Sequence, residues 1–164
     1  MGIATHLGPW LLGTVKNTSG TAAGTVSNVG ATLVTQSYTA PASVILTSPT
    51  AQLMFALPAG AKVLRFNVEV TVALTTATNC GLVIGDGTTA NKYVTTFNTG
   101  ATVGKVAQAT IDTATQVAQT NNIGTSDVNF YGTFTAATGN AAAGNIVVTV
   151  EYIVRNSDGT LTNP

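Results

Sequence analysis

Charge is the scarcest property of this chain. Asp, Glu, Lys and Arg together make up 7% of its 164 residues, against roughly 25% in an ordinary soluble domain. Six bases balance six acids, for a formal net charge of zero. Nucleic-acid binders neutralise phosphates with clustered Lys and Arg, and anionic membranes are met in the same way. Neither partner fits this composition. Histidine and cysteine are rarer still, with one of each, His6 and Cys80. A structural zinc site needs four Cys or His ligands and is excluded, and Cys80 cannot close a disulfide within the chain. Without a disulfide framework, synthesis in a reducing cytoplasm is the expectation. No apolar run reaches the roughly 18 residues of a bilayer span. The start, MGIATHLGPWLL, lacks the basic opening and long apolar centre of a signal peptide.

The groups needed for catalysis are equally thin. The acids Glu69, Asp86, Asp112, Asp127, Glu151 and Asp158 stand singly, with no pair at metal-ligand spacing, whereas a calcium loop gathers several carboxylates within about a dozen residues. Glu69 and Glu151 each lie four residues from an arginine, Arg65 and Arg155, so surface ion pairing accounts for them. A nucleophilic Cys80 would need distant His6 folded over it and a third group to orient the pair. The stretch GLVIGDGTTANKYVTT has glycines like a phosphate cradle, but β-type sequence follows them and no Lys-Ser/Thr pair closes the motif. Asp86 and Gly87 read instead as a tight turn that tolerates positive φ. No cofactor, no metal and no enzyme activity are expected.

What is present is alternation. In AKVLRFNVEVTVAL, Leu64, Phe66, Val68, Val70, Val72 and Leu74 share one parity, while Arg65, Asn67, Glu69 and Thr71 share the other. Successive strand side chains point to opposite faces, so this is a strand with one dry side. Near the end, Ile146, Val148, Val150, Tyr152 and Val154 alternate with Asn145, Thr149, Glu151 and Arg155, and VNFYGTFT precedes them with Val128, Phe130 and Phe134 on one side. Gly139, Asn140 and Gly144 lie between, which predicts a long C-terminal hairpin. QLMFAL alternates Leu53, Phe55 and Leu57 against Gln52, Met54 and Ala56 before Pro58 ends it. Shorter strands are expected at TLVTQSY, GLVIG, KYVTTF, residues 102–111 and residues 115–120, and no segment carries a helical stripe. The fold expected is all-β, an antiparallel jelly-roll-like sandwich over residues 49–164.

Residues 1–48 differ, being rich in Gly, Thr, Ser and Ala. They are expected to form an extended N-terminal arm with one or two short strands. Its one greasy cluster is Trp10, Leu11 and Leu12. Such a trio needs cover, on its own domain or on another chain, and these are the candidate partner-contact residues. Aromatics on strands are expected mainly as core or cross-strand partners, and Tyr93 and Tyr131 are those a carbohydrate site would use.

The order of PAGAKVLRFNVEVTVAL, GLVIGDGTTANKYVTTF and AAAGNIVVTVEYIV resembles that of small tailed-bacteriophage head proteins, namely capsid decoration (cement) and head-fibre proteins. The resemblance covers residues 50–164 and rests on pattern. It implies a jelly-roll module, commonly trimeric, on the outer capsid surface of the virion. There it would bind the major capsid protein and lock neighbouring subunits. The alternative it implies is a head-fibre or receptor- or glycan-binding module. Few lysines guard the strand edges, so self-association, most simply as a homotrimer, is expected.

Overall fold

Eight strands, one α-helix and a short 3-10 turn at Ala42–Val44 are found among residues 33–153, which the computed structural model describes apart from Lys105, Thr110, Asp112 and Asn122. The strands are β1 (Leu33–Pro41), β2 (Gln52–Leu57), β3 (Lys62–Thr75), β4 (Cys80–Gly85), β5 (Val94–Asn98), β6 (Val106–Ala109), β7 (Val128–Ala136) and β8 (Ala143–Ile153). Helix α1 (Ala114–Asn121) lies between β6 and β7. The cleanest alternation belongs to β8, where Ile146, Val148, Val150 and Tyr152 are buried and the residues between them are half-exposed.

The strands form two four-stranded antiparallel sheets, ordered β1-β8-β3-β6 and β2-β7-β4-β5. Among the described strands only β4 and β5 are consecutive neighbours in one sheet; every other connection crosses to the opposite sheet. That interleaving is a jelly roll. β1 pairs with β8 from Leu33↔Ile153 to Pro41↔Asn145, and Ile45 is fully buried, so within residues 33–48 the chain is already part of the sandwich.

The expected C-terminal hairpin does not form. β7 pairs with β2 and β4, whereas β8 pairs with β1 and β3. Period-two alternation is identical for strands lying side by side and for strands facing each other across a core, so it could not distinguish the two. The arch between them is pinned by Asn140, whose Oδ1 accepts from the Thr47 backbone N–H (2.9 Å) and hydroxyl (3.0 Å). Gly144, the second residue of β8, has φ +133°, and a Cβ there would come within 2.4 Å of Leu74 Cδ2.

Bulges correct three inward assignments. The β3–β8 register shifts between Val63 and Arg65 and again between Val70 and Val72. An extra residue turns the side chains beyond it to the other face, so Val63 is buried while Leu64 and Val72 are exposed. A shift between Leu53 and Phe55 does the same in β2, putting Met54 inside and leaving Leu53 53% exposed.

The strand expected at residues 115–120 is helical. Thr113 caps α1: its Oγ1 accepts from the Gln116 N–H (3.1 Å) and its carbonyl accepts from the Val117 N–H (2.9 Å). The buried positions are polar, Gln116 and Thr120, while Val117 faces out. No apolar stripe existed to reveal the helix. Gln116 Nε2 donates to Thr95 Oγ1 and to the Asn91 carbonyl, tying α1 over the β5 side of the sandwich. At the opposite flank Gln36 Nε2 donates to the Ala56 carbonyl (3.0 Å) and to Tyr152 Oη (2.8 Å), joining the edges of β1 and β2.

The core is centred on Phe130, which stacks on Tyr93 (ring centroids 4.2 Å apart) and meets Phe66 of the other sheet at 6.2 Å. All three are fully buried. Replacing Phe130 by Ala is expected to cost about 3–5 kcal/mol. Urea denaturation followed by circular dichroism checks this, and a loss under 1 kcal/mol would contradict the arrangement.

Candidate interaction surfaces

The loop from Asp86 to Tyr93 is organised by one carboxylate. Asp86 Oδ1 accepts from the backbone N–H groups of Thr88 (2.8 Å) and Thr89 (2.7 Å), while Lys92 Nζ donates to Oδ2 at 2.8 Å. Burial by itself would raise the Asp86 carboxyl, but the Lys92 and backbone hydrogen bonds outweigh it and hold the group well below the usual range. The same contact with Asp86 raises Lys92. The loop is indeed a turn, though neither Asp86 nor Gly87 has positive φ. The carboxylate closes it as an Asx turn. Gly85 is required for another reason: a Cβ there would lie 1.9 Å from the Thr89 carbonyl oxygen.

The residues singled out for chemistry do not converge. Cys80 is buried at the head of β4, and burial pushes its thiol up to about 12, far from a nucleophilic thiolate at neutral pH. His6, Trp10, Leu11, Leu12, Asp112 and Asp158 lie outside the described residues. Among the described residues no three His, Cys, Asp or Glu side chains gather to hold a metal. Arg65 pairs across strands with Glu151 (2.8 Å), which also accepts from Asn67 Nδ2 (2.8 Å); the pairing of Arg65 with Glu69 expected from sequence spacing is replaced by this one. Tyr93, a candidate only for the glycan-binding alternative, is wholly buried, in line with the core reading of the strand aromatics. Tyr131 stays half-buried on the outer face of β7, beside a depression of about 370 Å³ that Asp86, Thr88, Ala90 and Thr133 also line.

Charge is divided unequally between the sheets. Strands β2, β4, β5 and β7 contain no Asp, Glu, Lys or Arg, so the second sheet is charge-free on both faces. Its outward positions include Leu53, Ala56, Val83, Asn129, Tyr131, Thr133 and Thr135. All charges borne by strands fall on β3 and β8 of the first sheet. The edge strands β1, β2, β5 and β6 carry none.

A groove of about 540 Å³ lies beside α1. β6 ends at Ala109, opposite Phe66, so among the described residues no strand pairs with Lys62 to Arg65 on that side, and the helix stands there. Leu64 and Val117, each 43% exposed, line it together with Ile111. Neither was marked as a surface residue by sequence pattern, because a bulge and a polar-faced helix expose them.

No family profile and no curated protein sequence matches the chain. The fold has a counterpart in a phage capsid. A chain of the cyanophage Pam1 capsid asymmetric unit superposes with a TM-score of 0.53 at 20% sequence identity, over 82% of this chain and 94% of that one. Chains from the acid-stable capsid of Helicobacter pylori bacteriophage KHP30 (TM-score 0.43, 19% identity, 79% and 90% covered) and from the capsid of Ralstonia phage GP4 (0.45, 16%, 84% and 93%) are more distant. At such identities the likeness is one of fold.

The Asp86–Lys92 pair sets a pH window. Lowering of Asp86 contributes stability above the unfolded carboxyl pKa of about 3.9, lost as pH falls towards the folded value; raising of Lys92 contributes below about 10.4, lost as pH rises through its folded value. Asp86→Asn is expected to cost about 1–2 kcal/mol at neutral pH and to lose less than the parent on acidification. Urea titrations at neutral pH and near pH 3 check this; equal acid sensitivity would contradict it.

Proposed function

We propose that this protein is a structural component of a tailed-bacteriophage virion, a decoration protein that sits on the outer capsid surface and ties neighbouring capsid subunits together. The observation that carries the reading is the jelly roll spanning residues 33–153, whose counterpart is a capsid chain of cyanophage Pam1. The charge-free second sheet supplies the contact surface. An uncharged face loses little solvation when covered, whereas each buried charge would need a partner. Leu53, on edge strand β2 and 53% exposed beside Tyr131 in the register, is its most exposed large apolar side chain.

The protein acts as a homotrimer. Four edge strands without a charged residue are open to pairing and crowding by other copies, and a closed ring covers such flanks where an open chain of contacts would propagate. On the particle, Trp10, Leu11 and Leu12 are the arm's contacts with the capsid. A glycan-binding alternative retains Tyr131 alone, since Tyr93 is buried.

Mass spectrometry of purified particles is expected to find the protein in stoichiometric amount, and cryo-electron microscopy to place it outside the shell. A chain lacking residues 1–12 is expected to fold and oligomerise as before yet bind stripped particles at least about tenfold more weakly, the loss of roughly 1.4 kcal/mol or more. Unchanged binding would remove the arm from the interface, and absence from particles would overturn the virion reading.

A further inference from the structure

We propose that, off the particle, Trp10, Leu11 and Leu12 lie in the groove beside helix α1 of their own chain. The groove has a mixed lining in which aliphatic side chains can seat an apolar guest, while Gln108, Thr120 and Asn121 supply polar atoms. Buried Val63 and Ala109 line it with the exposed aliphatics Leu64 and Val117, and Lys62 is the one ionisable side chain among the described residues of its lining. Its 540 Å³ falls within the range of pockets that enclose small apolar ligands. On the side of β3 where a strand would have covered Leu64, β6 has already ended.

The guest matches in chemistry and in reach. Residues 1–15 contain no Asp, Glu, Lys or Arg, and Trp10 is the only tryptophan in the chain. The described chain starts at Leu33, which pairs with Ile153, which in turn pairs with Lys62 at the groove. Two strand spacings make that about 10 Å. Twenty residues, 13–32, join Leu12 to Leu33. A Gly/Ser-type chain of that length averages roughly 25 Å end to end and extends at most about 70 Å. The groove lies well inside this span, and a tether of this kind presents its own trio at roughly millimolar effective concentration. A free second copy at micromolar concentration competes poorly; a neighbour in the same oligomer is the competitor that the mixed oligomers below test.

The single tryptophan makes the seat measurable on the isolated protein, with no particle present, so failure here leaves the virion reading untouched. Trp10 emission is expected to be blue-shifted and shielded from acrylamide. Leu64→Asp and Val117→Asp are each expected to move it to the position and quenching of the urea-unfolded chain, with circular dichroism unchanged. Val103→Asp, at a site 52% exposed and outside the groove lining, is the control and should not move it. Mixed oligomers of a Trp10→Phe chain with a Leu64→Asp chain separate own-chain from neighbour seating: the only tryptophan then belongs to the chain with the damaged groove. Red emission from the mixture supports the proposal, and recovery of blue emission shows a neighbour's groove and overturns it. An exposed Trp10 in the unaltered protein, or one that stays shielded when both folded groove variants are examined, overturns it as well.

Discussion

Contact between the two sheets across Phe130 is the constraint on which the molecule depends. Phe130 carries Tyr93 from its own side and Phe66 from the other, and no disulfide joins the layers, the one cysteine being free. Removing apolar surface from water therefore supplies the cohesion, and every strand must keep its inward row to supply it. The interleaved strand order follows the same demand, since each chain crossing delivers a fresh apolar row to face the previous one.

Charge has been kept where it does least harm to covering a face. The ion pair of Arg65 with Glu151, joined by Asn67, sits on the outer side of the first sheet, and that of Lys92 with Asp86 closes a loop. The second sheet has none. Charge there would add solubility, and its absence leaves a face with little to desolvate if it is covered. The polar side chains that remain, chiefly Thr and Asn, can be satisfied by water or by a partner's backbone.

Fold class was legible because alternation is a local property. The inward rows of β8 and the middle of β3 could be assigned residue by residue, and the jelly-roll-like sandwich expected from them is present. What could not be assigned depends on partners distant in sequence. The bulges that expose Leu64 and Val72 exist only in the register with β8, and the separation of β7 from β8 exists only across the core. Helix α1 hid because Gln116 and Thr120 face inward; its readable signal was the Thr113-x-x-Gln116 spacing of a capping box. Among the candidate surfaces, the shortage of charge was plain from composition, but its concentration on one sheet required the topology. The groove, which combines a short β6 with a bulged β3, had no sequence signature at all.

Nearly all of the pairing in this fold is between segments far apart along the chain, Leu33 with Ile153 being the extreme, and β4 with β5 is the one neighbouring pair. A ribosome releases the first strand more than a hundred residues before the last one that can hold it. Until then the nascent chain displays charge-poor, edge-unguarded ribbons, a condition prone to premature clustering, and high contact order slows the final closure. A fold closed this late puts a premium on delayed folding and on chaperones that shield growing chains.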